Sequence, residues 1–190
     1  MGNKVEFGLS NLYFGTYTVG EEGTVTLVKP VHVPGAVSLK AEEKSELSNF
    51  YADNIAYYSN YTGGNLEGEI EVAKFPEDFK TTFLGYKKLA DGGIALVKNA
   101  TKPNIYIIFE VKGDAEARRI IMYNGTLGAI DREYKTTEDT NEPTTETISV
   151  TMLGDAATGI TMVSYKPTNT AYDTLFTAPP VPKLTEASEM

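Results

Sequence analysis

Residues 66–72 read Leu-Glu-Gly-Glu-Ile-Glu-Val, with Leu66, Ile70 and Val72 at one parity and Glu67, Glu69 and Glu71 at the other. A period of two belongs to the β-strand, whose successive side chains point to opposite faces; at 3.6 residues per turn the same glutamates would be scattered around a helix. The run therefore specifies a strand with one dry face and one acidic face. Shorter runs rich in Val, Ile, Tyr, Phe and Thr predict further strands over 12–19, 24–28, 36–41, 55–59, 94–97, 105–111, 119–127, 147–153 and 160–165. Turn formers separate them at Gly20-Glu21-Glu22-Gly23, Gly63-Gly64-Asn65, Asp91-Gly92-Gly93 and Lys112-Gly113-Asp114, where Gly, Asn and Asp tolerate positive φ. Many short strands joined by close turns predict a mainly β fold, a sandwich or partly closed barrel.

Within that pattern Ile105-Tyr106-Ile107-Ile108-Phe109 is apolar on both faces, as a central strand covered on both sides would be. One α-helix is expected over about 76–84, flanking the sheet. Pro76 opens it, Glu77 and Asp78 sit near its positive end, and Gly85 stops it. Phe75, Phe79 and Phe83 fall at a spacing of four on one side, placed to seal an open edge of the sheet. A further helical turn is expected over 170–176. The Pro-rich, then acidic, stretch 178–190 reads as a flexible tail, which leaves 1–177 as one domain with an N-terminal arm over 1–9. Two polar stretches are too long for simple hairpin turns and are expected as interaction loops: 42–65, which carries Tyr51, Tyr57, Tyr58 and Tyr61, and the acidic 131–146. Tyrosine favours contact surfaces, so the first is the better candidate for an interface.

Composition then removes whole classes of chemistry. Seventeen Lys and Arg stand against 26 Asp and Glu, for a net charge of −9, a poor balance for gripping phosphates. The absence of cysteine excludes disulfides, thiolate metal sites and thiol nucleophiles. The single histidine, His32, excludes multi-histidine metal centres and, with no motif around it, reads as a structural or surface residue. The opening residues lack the apolar core of a signal peptide, and no apolar run approaches a membrane span; the expectation is a chain made soluble inside its cell. Glu67, Glu69 and Glu71 alternate about 7 Å apart along a strand and do not converge as a catalytic pair would. The 131–146 stretch lacks the order of acids and central Gly of a calcium loop. No phosphate-cradling glycine motif occurs. The expectation is no catalytic, cofactor-binding or metal residues, no cofactor, and no enzyme.

Five blocks, in order, resemble the major tail protein family of long-tailed bacteriophages (siphophages), the subunit of the tail tube: NKVEFGLSNLYFGTYT at 3–18, VHVPGAVSL at 31–39, SNFYADNIAYYSN at 48–60, GNLEGEIEVAKFPEDFKTTFLG at 64–85 and NEPTTETISVTM at 141–152. The resemblance covers about residues 3–176. It implies a β-sandwich subunit, similar in fold to the type VI secretion tube protein, whose hexameric rings stack into a hollow tube around a tape-measure protein, closed off by terminator and tail-tip proteins. DNA would pass through the lumen without specific binding, and the tail would be assembled in the host bacterial cytoplasm, with no membrane involved. The long 42–65 segment and the N-terminal arm would reach the neighbouring ring. On that footing Phe50, Tyr51, Asp53, Asn54, Tyr57 and Tyr58 are the candidates for stacking between subunits, and Glu67, Glu69 and Glu71 for the lumen wall. The alternative is a monomeric immunoglobulin-like binding or decoration module, on a virion surface or for carbohydrate.

Overall fold

A computed structural model describes residues 8–52, 55–112, 117–132 and 144–184, with the side chains of 46–62 outside that description. The elements run β1 (Leu9–Val19), β2 (Val25–Leu27), β3 (Val31–His32), β4 (Ala36–Ala52), β5 (Ile55–Val72), α1 (Glu77–Phe83), β6 (Lys87–Lys88), β7 (Ile94–Ala95), β8 (Ile105–Val111), β9 (Arg119–Asp131), β10 (Glu146–Met152) and β11 (Met162–Tyr165). Nine strands form one antiparallel sheet in the order β2-β1-β8-β9-β10-β5-β4, with β3 on β1 and β11 on β9; β6 and β7 make a separate two-stranded ribbon. Although β1 and β4 stand five places apart in that order, they touch. The sheet twists and curls toward closure around its core, but no ladder joins the two strands, so it stays open. The chain is thus mainly β with one flanking helix among the described residues, as the alternation of residues 66–72 and the turn spacing require.

Strand β8 shows why the sheet needs cover on both faces. Ile105, Ile107 and Phe109 enter a main core with Leu12, Phe14, Ile70, Ile148 and Val150. Tyr106 and Ile108, at the other parity, enter a second core with Tyr17, Ile121, Tyr123 and Leu175. Helix α1 plugs the main core: Phe75, Phe79 and Phe83 are all buried, Phe79 lying 4.7 Å from the Phe75 ring, 5.1 Å from Phe83 and 4.8 Å from Phe14. Seven residues are too few for a helix to persist by itself in water, so packing of this phenylalanine face holds it.

An ion-pair network pins α1 to the sheet. Lys80 Nζ donates to Glu146 Oε1 at 2.9 Å, the Phe75 amide donates to Glu146 Oε2 at 2.7 Å, and Arg132 Nε lies 3.5 Å from Glu146 Oε1. Burial alone would raise the Glu146 carboxyl pKa. The Lys80 hydrogen bond, the Phe75 amide and the two cations outweigh it and hold the carboxyl below its ordinary value. In the second core Tyr17 donates its hydroxyl proton to Asp155 Oδ1 at 2.9 Å and accepts from the Ala156 amide at 2.8 Å. The other Asp155 oxygen accepts from the Thr158 amide and hydroxyl, so this buried carboxylate is fully hydrogen-bonded.

Two stretches differ from their sequence reading. Residues 42–52 and 55–65 are strand rather than loop: β4 and β5 pair from Ala36↔Val72 to Ala52↔Ile55 as one long hairpin. The outer part of that hairpin extends past the last β10–β5 pair, Met152↔Leu66, and its sequence is polar and Tyr-rich without the alternation that makes a strand legible. Residues 178–182, expected to begin a flexible tail, lie against the body. Tyr123 donates to the Pro180 carbonyl at 3.0 Å and Pro182 is buried. Arg119 helps hold the preceding segment, its guanidinium 3.9 Å from the Tyr172 ring centre and 4.6 Å from that of Phe176. Residues 185–190 and the arm's first seven residues lie outside the described residues, while Leu9 opens β1.

Candidate assembly surface

The glutamate ladder lies on the face of β5 turned away from Ile70, Val72 and the main core. Glu67 pairs across the sheet with Glu42 of β4 and Thr151 of β10, Glu69 with Lys40 and Ser149, and Glu71 with Ser38 and Thr147. Glu71 is tied down: Ser38 Oγ donates to it at 3.1 Å and Thr145 Oγ1 at 2.6 Å. Glu67 and Glu69 are exposed. Beside them Lys40 Nζ lies 2.7 Å from Glu42 Oε1 and Lys44 Nζ 3.6 Å from Glu42 Oε2. The Lys40 hydrogen bond and charge, with help from Lys44, hold Glu42 below the usual carboxylate range. The result is a shallow strip floored by Gly68, in which Glu42, Glu67 and Glu69 stand beside Lys40 and Lys44 and the carboxylates spread along the strands.

Gly68 is required where β4 crosses β5 most closely, because a Cβ there would collide with the Lys40 carbonyl oxygen. Gly68→Ala is therefore expected to force β4 off β5 and cost about 1–3 kcal/mol. A denaturant melt, with faster amide exchange along β4, checks it; unchanged stability would show that the hairpin bends freely at this point.

Beyond the ladder, where Thr161 Oγ1 still donates to the Gly64 carbonyl at 2.7 Å, no third strand among the described residues pairs with the hairpin. Pairing of β10 with β5 stops at Met152↔Leu66, whereas β4 and β5 stay paired from Lys44↔Asn65 out to Ala52↔Ile55. A ribbon of only two strands is marginal in water unless something packs on it. Among the described residues no strand pairs with the outer edge of β4, which presents free backbone donors and acceptors. Phe50 and Tyr58 share one register position and Tyr51 pairs with Ala56 on this ribbon. The side chains of Phe50, Tyr51, Tyr57 and Tyr58, and all of Asp53 and Asn54, lie outside the described residues. The backbone thus brings two candidate sets that the sequence separated, the glutamates and the tyrosine-rich segment, onto a single hairpin. A further exposed feature, the β6–β7 ribbon with Lys87, Lys88 and Leu89, gave no motif in the sequence; its signal was the run of lysines in an acidic chain.

A family model described as "Phage tail tube protein" matches residues 2–158. No curated protein sequence matches. Among solved structures the chain is similar to the anti-feeding prophage cap (AFP tube terminating cap), with 9% identity and a TM-score of 0.48, covering 86% of this chain and 95% of that one. It is also similar to a chain of the PVC sheath-tube complex of an extracellular contractile injection system in its extended state, with 8% identity and a TM-score of 0.44, covering 82% and 88%.

Proposed function

The chain belongs to the phage tail tube protein family, and from that premise we propose that it forms hexameric rings stacked into the tube through which a long-tailed phage ejects its DNA. The observation that carries the ring reading is the outer edge of β4, a strand of 17 residues, with which no strand pairs among the described residues. An unpaired edge of that length invites aggregation unless a neighbouring subunit covers it, and a head-to-tail ring of identical subunits covers every edge at once. In this reading Glu67, Glu69 and Glu71 face the lumen, where an acidic wall lets DNA slide by repelling its phosphates. The ribbon carrying Phe50, Tyr51, Asp53, Asn54, Tyr57 and Tyr58 reaches the next ring, and the rings enclose a tape-measure protein and end on terminator and tail-tip proteins. The chain's work is packing rather than catalysis, carried out in the virion tail after assembly in the host cytoplasm.

Negative-stain electron microscopy of the purified protein over a concentration series tests this, with rings or tubes of six-fold end view as the expected result. Monomers at every concentration, in virions as well as in solution, would favour the immunoglobulin-like module instead. Phe50→Ala combined with Tyr51→Ala is expected to leave a folded monomer that cannot form tubes. Normal tubes from that variant would remove the ribbon from the stacking contact, and a subunit packed with Glu67 and Glu69 on the outer wall would refute the lumen assignment.

A further inference from the structure

We propose that the β6–β7 ribbon of one subunit docks against the acidic turn at the end of β1 in a second copy of the chain. This rests on the tube reading above. Between Tyr86 and Lys102 the chain carries four lysines, Lys87, Lys88, Lys98 and Lys102, and one acid, Asp91, in a protein of net charge −9. Lys102 is turned inward, donating to the Leu127 carbonyl at 3.0 Å. The other three flank exposed aliphatic side chains: Leu89 is 49% exposed, Leu96 69% and Val97 40%. Among the described residues Lys87 and Lys98 have no ion-pair partner, and Lys88 has only the exposed Asp78 at 3.2 Å. The ribbon has a firm base, because Tyr86 is buried in the main core and Ile94 packs against it. Exposed aliphatic side chains interspersed with lysines, on the ribbon and the residues just after it and held on a firm base, have the composition of an interface.

The complement stands elsewhere on the same subunit. The Gly20–Gly23 turn presents Glu21 and Glu22 to solvent beside Val19, itself 47% exposed. The Gly20 amide is bonded to the Thr24 carbonyl at 2.8 Å, and Glu22 is held at φ +64°, a conformation that glycine or asparagine would adopt with less strain. A surface and its distinct complement on one chain suit a heterologous contact, the kind that repeats from subunit to subunit. Nucleic acid fits the ribbon less well: the ribbon's exposed residues include no arginine and no aromatic ring for a base to stack on.

Charge reversal tests the pairing. Lys87→Glu with Lys98→Glu, and separately Glu21→Lys with Glu22→Lys, are each expected to lower the sedimentable, tube-bearing fraction roughly tenfold, and the four changes together to restore most of it. All sites are exposed, so the variants should melt like the parent; if a reversal fails to fold, Lys87→Gln with Lys98→Gln should still weaken assembly and flatten its salt dependence. Unchanged assembly in either reversal, or no recovery in the combined variant, overturns the docking while leaving the tube reading intact. Parent subunits that form no tube bear on the tube reading, and sedimentation velocity at high concentration then decides the docking: salt-sensitive self-association lost on ribbon reversal supports it, and a strictly monomeric parent overturns it. Retention of duplex DNA by the parent, lost on ribbon reversal while assembly is unaffected, would assign the ribbon to nucleic acid instead.

Discussion

Phe79→Ala is expected to destabilise the subunit by about 3–5 kcal/mol, the cost of removing a fully buried aromatic ring and leaving its cavity. The ring is 1% exposed and touches Phe14 from β1 as well as Phe75 and Phe83 on its own segment. Its loss therefore loosens the helix and the sheet together. With ~2–4 °C per kcal/mol for a chain of this size, Tm should fall by roughly 6–20 °C. Leu96→Ala, at a site 69% exposed, is the control and should change stability by no more than about 0.5 kcal/mol. A loss below about 1 kcal/mol at Phe79 would mean that α1 is an appendage rather than the plug of the open sheet.

Glu146→Ala should cost a similar amount, about 3–5 kcal/mol, because it strands a buried cation. Lys80 is only 8% exposed and would lose its carboxylate partner, while the Phe75 amide would lose its acceptor. Lys80→Met in the same background removes the stranded charge and should recover part of the loss, which a double-mutant cycle measures. The pH dependence has a definite sign. Since the folded carboxyl lies below its ordinary value of 4.5, its contribution is fully present above that value. It disappears as the pH falls through the lower folded pKa. The stability gap between the parent and Glu146→Gln should accordingly narrow on acidification below pH 4.5. A gap independent of pH would assign the effect to packing instead of charge.

Much of the strand pattern is legible in the order of residues. The Leu66–Val72 alternation, the doubly apolar Ile105–Phe109 and the phenylalanines of α1 all stand where their spacing puts them. What stays hidden has physical reasons. The outer half of the β4–β5 hairpin is rich in Ser, Asn and Tyr and lacks a clean period-two alternation, so it reads as a polar loop. Glu146 looks like one more acid in an acidic stretch, because its partner Lys80 lies 66 residues away in the chain. The prolines at 179, 180 and 182 suggest a free tail, whereas the Tyr123 hydroxyl, 57 residues before Pro180 in the chain, holds the Pro180 carbonyl and Pro182 is buried. The candidate site divides in the same way: the acidic face of β5 is visible in the sequence, whereas Lys40 and Glu42 opposite it are not.

The sequence alone determined many of the strands, the dry side of Leu66–Val72, the covering of Ile105–Phe109 on both sides and, to within a residue, where the helix begins and ends. These follow from local sterics: alternation of Cβ across a strand, a fixed φ at proline and the reach of one helical turn. Only the tertiary structure decided that β5 lies between β4 and β10, that the sheet curls without closing, and that a long hairpin extends past the last β10 pair with no described strand paired to its outer edge. Those outcomes depend on hydrogen bonds and core contacts between residues far apart in the chain. A strand's own residues specify its faces, but not which neighbour will meet its edges.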